Sequence, residues 1–101
     1  MINTHIDERQ IYMTLIEAYA GLNQVIVDLE SIGVHPDDDI FHGQLLKSSS
    51  KIGCAIHELL TYNKFLESKE ENALMDFIFS EEILPDNCIE KGNELWKKYR
   101  E

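Results

Sequence analysis

Two groups of residues in this chain have spacings that suit chemistry on a helix. Asp38 and Asp39 stand four and three residues before His42. Cys54 stands three residues before His57. Side chains three or four apart share a helix face, so each group could offer two metal ligands. A closed zinc site needs four, so we predict capping carboxylates and solvated histidines, with no bound metal and no cofactor.

Nucleophilic catalysis would need a cysteine or serine beside a base and a third, orienting group. Cys54 and His57 are neighbours, but side chains three apart on one helix rarely converge on a common substrate. The sequence contains no G-x-S-x-G elbow and no glycine-rich phosphate loop. We therefore predict no catalytic residue and a protein that is not an enzyme.

The cellular compartment is indicated by the cysteines and the first residues. Cys54 and Cys88 lie far apart, and the polar N-terminal segment does not resemble a signal peptide. Apolar runs are too short to cross a bilayer. These features predict reduced thiols, no membrane insertion and a cytoplasmic location.

The charge pattern limits the classes of partner. The chain has 101 residues and a net charge of −10. Residues 1–46 and residues 67–90 each contain eight acidic residues and one base, a net charge of −7 in each segment. A nucleic acid or an anionic membrane requires clustered Lys and Arg, so both are excluded as partners. The pattern favours a protein with a basic surface, although acidity also serves solubility alone.

Four amphipathic segments predict an all-α, up-and-down helical bundle, in a single domain over residues 1–101. A long antiparallel hairpin (about 5–32 and 38–66) is followed by two shorter helices (about 69–84 and 87–100). In the hairpin, apolar residues recur by fours and threes, which is a heptad seam. The seam comprises Ile11, Leu15, Ala18, Leu22, Val25, Leu29 and Ile32, then Phe41, Leu45, Ser48, Ile52, Ala55, Leu59, Tyr62 and Leu66. Tyr12, Ile16, Tyr19 and Ile26 widen it on the first helix.

Helix ends are predicted from capping residues. Thr4 is placed to cap the first helix, and Gly33, followed by Val34, to end it. Ser68 and Glu71 form a capping box for the third helix, and Asp86 or Asn87 caps the fourth. The serines before Gly53 are poor helix formers, yet we favour one continuous second helix.

The length of the hairpin predicts self-association. A helix over residues 5–32 spans about 42 Å, whereas a compact chain of this size has a diameter of about 34 Å. Two short helices cover only part of the hairpin. We therefore predict a homodimer or higher oligomer, with docking of a different protein as the alternative.

The segment from Gln44 to Gly53, QLLKSSSKIG, resembles the central helix of histidine phosphotransfer domains, which are four-helix bundles of this size. The resemblance implies a signalling bundle. Gln44 stands where the family has its phosphorylated histidine, so a degenerate member is expected, and His42 lies on a different face.

The function that these observations favour is a non-enzymatic, acidic protein-interaction protein that occludes a basic partner surface. An inhibitor, an immunity or anti-defence factor, or an adaptor of bacterial or phage type fits this description. A second alternative is a small-ligand binder at a homodimer seam. The partner-binding residues that we predict are Asp37, Asp38, Asp39, Phe79, Glu81 and Glu82.

Overall fold

The computed structural model describes residues 7–34, 40–62, 64–80 and 82–101. They form four helices: α1 (Glu8–Ser31), α2 (Ile40–Thr61), α3 (Ser68–Ser80) and α4 (Cys88–Tyr99). The predicted all-α bundle is confirmed, and α2 runs without a break through its serines. None of these helices is long and apolar enough to span a bilayer.

The two long helices form the predicted antiparallel hairpin. Asn23 of α1 is level with Ser49 of α2, and Glu30 is level with His42. α3 packs on α2, whereas α4 packs on both α1 and α2. A single core contains residues of all four helices, so both short helices lie on the same side of the hairpin.

The centre of the core differs from the predicted seam. The buried residues of α1 are Tyr12, Ile16, Tyr19, Ala20 and Ile26, and those of α2 are His42, Ser49, Gly53, Ile56 and Leu60. On α1, most of the buried residues are ones that we predicted would lie beside the seam and widen it, not form it. Several seam residues are exposed instead, among them Ile11 at 44%, Phe41 at 60% and Tyr62 at 66%. The reason is that α3 and α4 cover the adjacent stripe of each long helix.

The ends of α1 follow known capping geometry. Asp7, and not Thr4, is the N-cap, and its side chain accepts a hydrogen bond from the Arg9 backbone N–H at 3.0 Å. At the other end Gly33 has a φ of 84°, and Val34 N–H donates to the Leu29 carbonyl at 3.0 Å. This is a Schellman motif, so the predicted glycine stop is confirmed.

The later helices are shorter than predicted. α2 ends at Thr61, whose hydroxyl donates back to the His57 carbonyl at 2.8 Å. α3 ends at Ser80. A Ser or Thr hydroxyl that bonds locally competes with the helical backbone, which favours an end there.

Two predicted caps have other roles. The Glu71 carboxylate lies 2.7 Å from His57 Nε2, so it joins α3 to α2 and does not close a capping box. Asn87 is the N-cap of α4, but its side chain makes no capping bond. Its Oδ1 accepts from Leu84 N–H at 2.8 Å and its Nδ2 donates to the Glu82 carbonyl at 2.9 Å. Asn87 therefore holds the α3–α4 connection in shape.

Candidate partner-binding cleft

A cleft of about 250 Å³ opens where α3 ends and the chain turns toward α4. α1 and α2 continue past this point and form two of its walls. We call it the Phe79 cleft. Its lining comes from α1 (Tyr19, Asn23, Ile26, Val27, Glu30), α2 (Leu46, Ser49, Ser50) and the end of α3 with the following loop (Phe79, Ser80, Glu82, Leu84).

The base of the Phe79 cleft is a hydrogen-bonded network. Ser49 Oγ donates to Asn23 Oδ1 at 2.7 Å, and Asn23 Nδ2 donates to the Ile83 carbonyl at 3.1 Å. Tyr19 OH donates to the Ile78 carbonyl at 2.8 Å. These bonds tie α1 to α2, to α3 and to the loop after it. Partly buried polar groups that satisfy one another make a rigid base for the cleft.

Burial raises the pKa of Tyr19 above the usual value for a phenol. Hydrogen bonding with Asn23 and Ser49 acts in the opposite direction but is the smaller effect. Tyr19 therefore stays protonated at neutral pH. Its hydroxyl remains a hydrogen-bond donor to the Ile78 carbonyl.

The aromatic wall is Phe79, which is 40% exposed. Its ring lies directly on Gly53 of α2, because a Cβ added there would be 2.5 Å from Phe79 Cε1. Only glycine lets the ring approach the helix backbone so closely. The buried Gly53, which follows the serines of α2, therefore sets the position of this wall.

Both charged residues in the described lining of the cleft are acidic, and Lys91 Nζ lies 3.4 Å from the carbonyl oxygen of one of them, Glu82. Glu30 and Glu82 are exposed and belong to its lining, on α1 and on the loop. Glu30 Oε1 also lies 3.7 Å from Nε2 of the buried His42. The cleft thus combines apolar walls, one aromatic face and two solvated carboxylates.

Of the predicted partner-binding residues, the structure brings Phe79 and Glu82 together in this cleft. The aspartates of the α1–α2 connection (Asp37, Asp38, Asp39) and Glu81 lie outside the described residues. Glu30 and Asn23 were not predicted. Asn23 had a signal, since it is a polar residue within the apolar arc of α1 that carries Tyr12, Ile16 and Tyr19.

The other candidate groups are dispersed. Cys54 is exposed and Cys88 is buried, and neither forms a disulfide. Gln44 is exposed, whereas the His42 side chain is fully buried and so out of reach of a phosphodonor. Over the described part of the chain, no three His, Cys, Asp or Glu residues are grouped as a metal site would require.

The Phe79 cleft thus contains the two predicted contact residues that the structure describes. In comparisons with known proteins, no family model matches the chain, and no curated protein or solved structure shows significant similarity to it.

Proposed function

We propose that the chain is a non-enzymatic, acidic interaction protein that takes a Lys or Arg side chain of a basic partner into the Phe79 cleft. The observation that carries this proposal is the meeting of Phe79, Glu30 and Glu82 at one cleft in a chain of net charge −10. When a Lys or Arg side chain of the partner fills the cleft, this protein would cover the basic surface around that side chain.

The chemistry of the cleft suits a long cationic side chain. Its aliphatic stem would lie along Ile26, Val27 and Leu46, as Lys and Arg stems do on apolar surfaces. Its charged end would reach Glu30 and Glu82, and the Phe79 face adds a cation–π contact. Cavities for drug-sized ligands measure roughly 300–1,000 Å³, so a 250 Å³ cleft suits one side chain better than a cofactor.

The net charge would act before contact. Acidic surfaces attract a basic partner over about one Debye length, roughly 8 Å at physiological ionic strength, and so raise the association rate. An inhibitor, an immunity or anti-defence factor, or an adaptor of bacterial or phage type fits this mode of action. We place the chain in this group, in the cytoplasm.

The test is an NMR titration with three blocked amino acids: N-acetyl methylamides of arginine, lysine and norleucine. We expect the two cationic probes to shift the amide signals of Asn23, Ser49 and Glu82. The norleucine probe, which has an apolar side chain and no charge, should shift them much less. The double variant Glu30→Gln with Glu82→Gln should abolish the response.

The control removes the same charge elsewhere. Glu17 and Glu94 are exposed and do not line the cleft. The variant Glu17→Gln with Glu94→Gln should therefore respond like the wild-type chain. Equal loss in both double variants would show that only net charge matters, and equal shifts from norleucine would contradict cation recognition.

The natural partner can be sought by affinity capture at 0.1 M and at about 0.5 M salt, where the Debye length is roughly halved. A steered acidic interface should release most of its partner at the higher concentration. The Phe79→Leu variant should retain less partner at both concentrations. Capture that is independent of salt would contradict the proposal.

A further inference from the structure

The heptad seam predicted from the sequence lies largely on the outside of the hairpin. Ile11, Leu15, Ala55, Leu59 and Tyr62 all belong to the seam, and together with Glu58 they line one shallow groove between α1 and α2. We call this side, opposite α3 and α4, the hairpin back. Val25 and Ile32 extend its exposed apolar surface along α1.

The direction of the seam points to more helices. Successive residues of an α-helix are rotated by about 100° around the helix axis. The seam of α1 is therefore centred roughly 110° from its buried face, beyond the side of the helix that contacts α2. The same offset holds on α2. In a bundle, a helix aims its core residues between its two neighbours. Each seam therefore points between the other helix of the hairpin and a position behind the hairpin, where a further helix would pack.

We propose that a second copy of this chain packs on the hairpin back, so that two hairpins form a second four-helix core along their seams. A heptad seam on two antiparallel helices is complementary to the same arrangement in another copy. Its seam residues carry no charge, unlike the Phe79 cleft. A basic partner therefore fits the cleft, and an identical hairpin fits the back.

The area of the back is sufficient. From Ile11 to Ile32 the seam is about 31 Å long, and two adjacent helices are about 20 Å wide. The face is therefore about 600 Å² per copy, or about 1,200 Å² in total, the lower end of specific interfaces. Small residues at its centre, Ala18 and Gly21, allow close approach, and nothing lies within 4 Å of a Cβ built at Gly21.

Charge selects the orientation. The outer edge of α1 carries Glu17 and Asp28, whereas that of α2 carries Lys47, Lys51 and Glu58; all five are exposed. Stacking α1 on α1 of the other copy would oppose like charges. Stacking α1 on the other α2 pairs Asp28 with Lys47, because the hairpin register places Lys47 three residues from the level of Asp28. Lys51 and Glu58 lie on either side of the level of Glu17 and offset each other. In a symmetric dimer, α1 of each copy stacks on α2 of the other when the two-fold axis runs parallel to the helices, so we assign this orientation.

The experiment is sedimentation equilibrium of the full chain from 1 to 200 µM, with three variants. We expect the mass of the wild type to approach twice 11.7 kDa as the concentration rises. Val25→Lys should be monomeric with unchanged helicity, because its new lysine would lie at the level of Lys47 in the other copy. Lys47→Glu should weaken the dimer at least about 10-fold, and adding Asp28→Lys should restore it.

Glu94→Lys, on the exposed face of α4, is the matched control and should leave the dimer unchanged. A wild type that stays monomeric throughout would overturn the proposal, as would a dimer that Val25→Lys does not weaken. If Asp28→Lys does not restore the Lys47→Glu dimer, the antiparallel stacking of α1 on α2 is refuted.

Discussion

The hydrogen bond from Tyr12 to Gly92 is the interaction whose removal has the clearest expected cost. Tyr12 is fully buried, and its hydroxyl donates to the Gly92 carbonyl at 2.6 Å, which joins α1 to α4 across the core. Tyr12→Phe deletes only the oxygen. The ring that contacts Trp96, with 5.0 Å between the ring centroids, remains.

The magnitude follows from burial. A typical hydrogen bond contributes about 1 kcal/mol net, and leaving a buried carbonyl short of a partner adds to the loss. We expect Tyr12→Phe to lower the free energy of unfolding by about 1.5 kcal/mol. For a domain of about 100 residues this lowers Tm by roughly 6–12 °C.

The assay is thermal and urea unfolding followed by circular dichroism at one protein concentration, because self-association would make Tm depend on concentration. Tyr62→Phe is the matched control, since Tyr62 is 66% exposed. It should stay within about 0.5 kcal/mol of the wild type. If Tyr12→Phe does so too, the bond to Gly92 does not stabilise the α1–α4 contact and the reasoning is wrong.

Two further predictions concern the glycines and the phenols. Gly53→Ala should push the Phe79 ring out of its place, which cancels the gain of about 1 kcal/mol in helix propensity and weakens arginine-probe binding. Gly21→Ala, with open space around it within one copy, should show that gain in full when it is measured on the monomer. Burial raises the pKa of Tyr12 and Tyr19 in the folded state, so the unfolded chain releases these protons first and stability falls as the pH rises above about 10. In a chain that also carries Tyr62→Phe and Tyr99→Phe, absorbance at 295 nm should therefore rise together with the loss of helicity; phenolate formation in such a chain while it remains folded would contradict this.

Local signals in the sequence predicted much of the fold. Gly33 and Val34 act within one turn of the helix that they end, so their roles follow from residue type alone. The N-cap, by contrast, was predicted at Thr4 and lies at Asp7. The continuity of α2 was also predicted correctly, although its serines are poor helix formers. The glycine stop depends on backbone geometry and not on where other helices pack.

The identity of the buried stripe could not be predicted in this way. On α1, Ile11 and Tyr12 begin two adjacent apolar stripes with the same spacing, and either could face a core. Docking of α3 and α4 decides between them, and that is a tertiary effect. Glu71 was misassigned for a related reason, because its partner His57 belongs to another helix.

The same limit applied to the residues of the candidate site. Phe79 and Glu82 were expected because an aromatic residue beside acids suits an interface. Glu30 is distant from both in sequence and reaches the cleft only through the register of the hairpin. Contact residues that are close together in the sequence could thus be predicted, whereas a site residue contributed by a distant helix could not.

The two apolar stripes have different consequences for binding. The stripe of Tyr12, Ile16 and Tyr19 is covered by α3 and α4, and the Phe79 cleft opens on that side of the hairpin. The seam lies on the opposite side. If two copies joined back to back, their clefts would face outward in opposite directions, and one compact partner could not occupy both. Each copy would then bind its own partner molecule, so variants that separate the copies should leave the affinity of a single cleft unchanged.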